Sequence, residues 1–400
     1  MRDPVSRAAR AIPPSGIRRF FDLVQTMDDV ISLGVGEPDF STPWKAIDAC
    51  MVALEQGQTS YTSNRGMPAL REQIADELAR DFGLCYDPET EMIITTGVSE
   101  GLDITIRAVT DPGDEVLVAQ PSYVSYAPCV TLAGGVPVPV PCLERDRFRL
   151  IPDQLMERVT PKTKALVMNF PNNPTGGVMT ASDIKGVADV VEDHDLVLLS
   201  DEVYSELSYE QAHVPAATIG SLRERTITLN GFSKSYAMTG WRIGYVCAPP
   251  DLADAALKIH QYVMLCAPSM GQVAALAALR SARAEKDAMV EAYRLRRNLF
   301  VEGLNRAGLP CHMPAGAFYA FPSVASTGLS DVEFAEQLLA EEHVAVVPGS
   351  VFGEGGAGHV RCAYAVSRED LVEAVNRIER FVATLADRPA PAVEVRQPAT

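Results

Sequence analysis

The stretch RTITLNGFSKSYAMTGWRIGYVCAP, residues 225–249, contains two short apolar runs, RTITLNGFS (225–233) and RIGYVCAP (242–249), with a lysine at 234 between them. The first run reads as a buried strand, which places Lys234 where that strand ends. Working outward, the same kind of run recurs as EMIITTG (91–97), DEVLVAQPSY (114–123), TKALVMNFP (163–171) and DLVLLSDEVY (195–204). Helical-period stretches lie between several of them, among them SEGLDITIRAV (99–109) and ASDIKGVADVVEDH (181–194). This alternation predicts an α/β sheet covered on both faces, with ligands at the carboxyl ends of its strands.

The pattern changes after about residue 285. A long charged helix (AEKDAMVEAYRLRRNLFVEGLNRAG) is followed by GAFYAFP, the helix-like DVEFAEQLLAEEHV and the alternating strand HVRCAYAV (359–366), which together read as a second, α+β unit. The 400 residues exceed what one core usually serves, so two packed domains are expected. The expected division is an N-terminal segment (1–44) packing with the small unit, a large domain (45–284), a small domain (285–386) and a loose Pro-rich tail (387–400). No internal repeat is visible.

Composition narrows the function. A net charge of −17 repels nucleic acid and anionic lipid, and leaves a small-molecule substrate as the expected partner. The 8 cysteines form no C-x-x-C pair and read as reduced thiols of a cytoplasmic protein, and the 6 histidines form no ligand-spaced set, so no metal is expected. No run approaches the ~18 apolar residues of a membrane span, and the opening MRDPVSRAARAIPPSG lacks the apolar core of a signal peptide. Two motifs are decoys. Gly353–Gly358 satisfies G-x-G-x-x-G but precedes a strand, and Ser182-x-x-Lys185 stands without its partner motifs, with Ser182 placed to cap a helix.

The chemistry centres on Lys234. A lysine is a covalent catalyst only when it can lose its proton, which burial or a neighbouring cation promotes, and Arg242 is a fixed cation suited to phosphate. The segment Gly231–Gly244 resembles the lysine signature of the class I/II aminotransferases of fold type I. Other matches follow in order over roughly residues 15 to 380: Asn172-Asn173-Pro174-Thr175-Gly176, Asp201-Glu202-Val203-Tyr204, Pro121-Ser122-Tyr123, Thr96-Gly97-Val98-Ser99-Glu100-Gly101 and Arg361. The resemblance implies a mostly parallel seven-stranded sheet, pyridoxal 5′-phosphate (PLP) as cofactor, and Lys234 as the Schiff-base lysine and proton carrier of a ping-pong transamination between an L-amino acid and a 2-oxo acid.

It further implies that Asp201 holds a proton on the pyridine nitrogen, that Asn173 and Tyr204 bond the ring oxygen, and that Tyr123 stacks on the ring. Ser99, the Glu100 backbone, Ser233 and Arg242 would take the phosphate, with the Glu100 carboxylate turned away. Gly231 stands where the family often has a hydroxyl, so one phosphate bond would be missing or supplied elsewhere. Gly36 and Arg361 would meet the substrate carboxylate, and Tyr61 would reach the neighbouring site of a homodimer. Read alone, these residues admit plainer roles: a helix cap for Asp201, a turn for Asn-Pro-Thr-Gly, core aromatics for Tyr123 and Tyr204, a loop glycine for Gly36 and a surface turn for Tyr61. Arg18 and Arg19 could border the substrate pocket or form a solvated basic face. Other PLP reactions on the same scaffold, such as C–S or β-lyase chemistry or decarboxylation, and a non-catalytic PLP-binding regulator stay open beside transamination.

Overall fold

The computed structural model describes residues 4–14, 16, 27 and 29–386, so Arg18, Arg19 and the expected tail at 387–400 lie outside the described residues. The strands are β1 (Ile31–Ser32), β2 (Met92–Thr95), β3 (Glu115–Gln120), β4 (Val136–Pro141), β5 (Thr163–Asn169), β6 (Val197–Asp201), β7 (Thr226–Gly231), β8 (Gly244–Cys247), β9 (Tyr319–Ala320), β10 (Val344–Ala345), β11 (Val347–Pro348) and β12 (Val360–Ala363). Seven form one sheet in the order β2-β8-β7-β6-β5-β3-β4. Its pairs are parallel except those of β8, which runs antiparallel to both β2 and β7.

The apolar runs are continuous because both faces are covered. Val118, Val167, Leu199 and Ile227 pack with Ile104 and Ile106 of helix Gly97–Val109 and Ala253 and Ala256 of helix Pro250–Val263. On the opposite face Leu117, Leu166 and Leu198 meet Ile184, Val187 and Val191 of helix Ala181–Asp193. Parallel connections bring β5, β6 and β7 to end on one edge, which is where side chains at their last residues converge.

One strand of the seven-stranded sheet escaped the sequence reading. VPVPVP (136–141) carries three prolines, yet it forms β4 at the sheet edge, paired only with β3. The Val136 N–H donates to Asp114 O (2.8 Å), so by alternation the valine N–H groups face β3 and the proline nitrogens face the open side, where no donor is needed. The expected cap at Ser182 is also corrected. Thr180 caps that helix, accepting from the Asp183 N–H (3.2 Å) while the Asp183 carboxylate takes the Thr180 N–H (2.9 Å), and Ser182 lies inside the first turn.

A second core gathers Tyr293 and Phe300 of helix Arg283–Arg306, Phe318, Phe334 of helix Asp331–Glu342, and Phe381 of helix Arg368–Ala386. It backs the antiparallel sheet β11-β12-β9, and β10 pairs in parallel with β1, where Ile31 lies opposite Val344. Leu33, Tyr204 and Leu207 belong to this core too, so the two packed regions meet beside the end of β6.

Candidate active site

A cavity of about 320 Å³ opens at the shared edge of β5, β6 and β7. Ten of the residues singled out in the sequence line it: Gly36, Ser99, Tyr123, Asn173, Asp201, Tyr204, Ser233, Lys234, Arg242 and Arg361. Two do not. The Glu100 carboxylate is turned away, and Tyr61 stands on the surface, 81% exposed. A larger cleft of about 510 Å³ behind Thr175–Thr180 has no lysine in its wall, and His213 there is committed to Glu202 (2.9 Å). Covalent amine chemistry therefore belongs to the smaller cavity.

Lys234 emerges where β7 gives way to a single helical turn, Phe232–Ser235. A side chain at Gly231 would have its Cβ 2.9 Å from both Gly244 Cα and Ile243 O, so the close approach of β7 and β8 leaves no room for the hydroxyl residue missing there. Thr239, another wall residue, offers a hydroxyl from the next loop. The Lys234 Nζ donates to the Gly36 carbonyl (2.6 Å). Burial lowers its pKa to about 8, with Glu37 opposing the shift and Arg361 and Arg242 adding to it. About a tenth of the amine is thus neutral near pH 7, far more than for an ordinary lysine, as a nucleophile requires.

Asp201 ends β6 with 5% of its surface exposed. Burial raises its pKa to about 6, resisted by hydrogen bonds from Tyr126 Oη to Oδ2 (2.7 Å) and from the Val203 N–H to Oδ1 (3.2 Å). Asn169, at the end of β5, donates to Asp201 O (2.8 Å) and accepts from the Asn173 N–H (3.0 Å). Asn172 holds the turn, its Oδ1 accepting from both the N–H and the hydroxyl of Thr175. Asn173 Oδ1 in turn accepts from Arg361 Nη1 (2.9 Å), and Arg361 Nη2 donates to Gly34 O (2.6 Å).

Arg361 is 3% exposed, and its guanidinium lies over the rings of Tyr319 (4.7 Å) and Phe352 (4.9 Å), with a buried Nε that has no hydrogen-bond partner among the described residues. Tyr319 also meets Tyr204 hydroxyl to hydroxyl (2.8 Å). At the other end of the cavity, helix Gly97–Val109 presents its first turn. A Cβ on Gly97 (φ +72°) would stand 2.6 Å from Arg242 Nη2, so the guanidinium lies directly against this turn. Free N–H groups, a helix dipole and a cation meet there. The two arginines give the cavity a positive field at both ends inside a chain of net charge −17.

Tyr126, Asn169, Thr239 and Tyr319 were missed in the sequence. Asn169 and Tyr126 leave a signal in retrospect, as the polar last residue of an apolar strand and an aromatic one helical turn beyond Tyr123. Tyr319 leaves none, being one aromatic among several in GAFYAFP.

An asparagine, an aspartate, a lysine and two arginines in this chain order, converging on one cavity, are the pattern of a known family. The family model described as aminotransferase class I and II matches residues 28–378. This chain belongs to that family. The aspartate aminotransferase of Pyrococcus abyssi (strain GE5 / Orsay) is 45% identical over 374 residues, covering 93% of this aminotransferase and 96% of the relative. The aromatic-amino-acid aminotransferase 2 of Thermococcus litoralis (strain ATCC 51850 / DSM 5473 / JCM 8560 / NS-C) is 44% identical with the same two coverages. Among solved structures, the aspartate aminotransferase of Thermus thermophilus with maleate superposes with a TM-score of 0.90 at 40% identity, over 95% of this aminotransferase and all of that chain.

The aminotransferase uses PLP, and the fold is that of fold type I. Its residues fit that cofactor. The cavity has a depressed amine to bind an aldehyde, a buried carboxylate to face a pyridine nitrogen, and a helix N-terminus with Arg242 to take a phosphate. Among the described residues no group of histidine, cysteine, aspartate or glutamate could hold a metal ion, and no helix is long and apolar enough to cross a membrane.

Proposed function

We propose that this aminotransferase holds PLP on Lys234 and uses the same Nζ to take the α-proton of an L-amino acid and return it during ping-pong transfer to a 2-oxo acid. The observation that carries the assignment is the lowered pKa of Lys234 between two arginines, inside a cavity that also contains Asp201. PLP, when bound, supplies an electron sink for the bond broken at the substrate's Cα. Asp201 keeps the pyridine nitrogen protonated, oriented by Tyr126 and the Val203 N–H. Asn173 and Tyr204 donate toward the ring oxygen, and Tyr123 covers the ring face. Ser99, the Glu100 N–H, Ser233 and Arg242 bind the phosphate, with Thr239 a further hydroxyl in reach of the cavity.

Arg361, held at two corners by Asn173 and Gly34, takes the substrate carboxylate next to Gly36. Its fixed geometry orients the amino acid so that the Cα–H bond faces Lys234. Relatives named for aspartate and for aromatic amino acids are about equally similar, so acidic and aromatic donors are the first to test.

The active unit in this reading is a homodimer, in which Tyr61 reaches the neighbouring cofactor phosphate. Trp44 (66% exposed), Tyr61, Tyr262 (87%) and Val263 (56%) are unusually exposed for such residues. The Tyr61 loop is tied to the Tyr262 segment by Asn64 Nδ2 donating to Leu265 O (2.7 Å). Cytoplasmic residence is proposed from the free cysteines, Cys50, Cys85, Cys129, Cys142, Cys247, Cys266, Cys311 and Cys362.

The test is to add PLP to the purified protein, reduce with borohydride, and map the modified peptide. Label on Lys234, together with stoichiometric keto acid from an amino donor in the presence of 2-oxoglutarate, supports the assignment. A colourless protein, or label confined to other lysines, refutes it.

A further inference from the structure

Glu100 follows Ser99 in the helical turn that faces the cavity, and a carboxylate there competes with a phosphate for the same positive helix end. The side chain is folded back instead. Oε2 accepts from the Thr96 N–H, the backbone group at the helix cap, and Oε1 accepts from His260 Nδ1 (2.5 Å). His260 is fully buried in helix Pro250–Val263, which packs along helix Gly97–Val109, and its Nε2 is buried with no hydrogen-bond partner among the described residues. Facing a carboxylate, which can only accept, Nδ1 carries the hydrogen of this bond. A buried polar ring with a single hydrogen bond is costly where an apolar side chain would pack, and that bond goes to the carboxylate next to Ser99 in the turn facing the cavity.

The pair is also joined to the exposed face. The Met264 and Leu265 N–H groups donate to the His260 carbonyl (2.9 and 3.1 Å), and Leu265 O accepts from Asn64 of the Tyr61 loop.

We propose that His260 is a positioning residue for phosphate recognition: it clamps the Glu100 carboxylate against Thr96 and out of the cavity, leaving the turn and Arg242 free to bind the phosphate. The inference rests on the reading of this cavity as the PLP site. Without the clamp, Glu100 swings toward Ser99 and Arg242 and repels the phosphate, while contacts to the ring are untouched.

The test compares equilibrium binding of PLP and of pyridoxal, which lacks the phosphate, to the apoprotein. In His260→Leu, PLP binding is expected to weaken tenfold or more, with pyridoxal binding within twofold of the parent. Adding Glu100→Gln to His260→Leu should bring PLP affinity back to within threefold, because the repelling charge is gone. A purely structural role predicts equal losses for both ligands and no rescue, and either result overturns the proposal. Should His260→Leu not fold, His260→Asn keeps a donor near the Nδ1 position. Its PLP-to-pyridoxal ratio should stay within threefold of the parent, and a tenfold fall overturns the proposal. A parent protein with no preference for PLP over pyridoxal would sink the cavity reading itself. A preference that survives intact in His260→Leu would sink only the role of His260.

Discussion

Lys234 and Asp201 face the same cavity with opposite departures from ordinary titration, and each gives a prediction at the level of one side chain. Reductive alkylation of Lys234 in the apoprotein should follow a midpoint near pH 8, where surface lysines follow one near ~10.4. A midpoint indistinguishable from the bulk lysines would contradict the buried amine. Lys234→Ala should lower turnover on the order of 10³-fold or more, since it removes both the covalent anchor and the proton carrier; rapid single-turnover kinetics would expose any residual route. Arg361→Lys loses the forked geometry while keeping the charge, and should raise KM on the order of 10- to 100-fold with a smaller change in kcat. Asp201 carries a raised carboxyl pKa, so its protonated form is favoured by folding. That contribution is fully present below ~4, the unfolded value, and is lost as pH rises through about 6. Between pH 4 and 7 the apoprotein should therefore lose on the order of 2 kcal/mol relative to Asp201→Asn, as read by urea unfolding of both at several pH values.

Among the elements, the junction of β2 with helix Gly97–Val109 is the most tightly specified. Gly97 has φ +72°, which favours glycine, and its missing Cβ is the space occupied by the Arg242 guanidinium. Gly97→Ala should displace Arg242 and weaken PLP binding by roughly 10-fold or more, whereas Gly113→Ala, also at positive φ but with nothing within 4 Å, should leave PLP affinity unchanged and lower stability alone. Equal cofactor affinity in the two variants would show that backbone strain, not the arginine, governs position 97. The strand–helix alternation around this junction was legible from the apolar runs because parallel strands covered on both faces have no polar face to interrupt them. β4 was not, because its prolines are acceptable only at an edge, and edge position is set by neighbours distant in the chain.

For the whole molecule, the exposed aromatic and aliphatic face around Tyr61 and Tyr262 predicts self-association. Tyr262→Glu, which puts a charge on that face and leaves the cavity wall unchanged, should shift the sedimentation profile toward monomer and reduce transaminase activity in parallel. An unshifted profile would take Tyr262 out of the self-association face, and a monomer with full activity would remove Tyr61 from the neighbouring site. The −17 charge bears on this scale too, since the buried Arg361 and the more exposed Arg242 set a positive field in the cavity against it.

The amino-acid sequence alone determined the fold class, the family and the group of residues from Ser99 to Arg361 that surround the cavity, because periodicity and motif order are local properties of the chain. Tertiary structure decided what those residues touch: that Tyr126 bonds Asp201, that Tyr319 lies under Arg361, and that His260 draws Glu100 away from the cup. These pairs join residues 42 to 160 positions apart, on elements whose separate patterns carry no trace of the partner. Hydrogen bonds and burial between such elements exist only after the sheet and helices have packed, which is why no local reading could supply them.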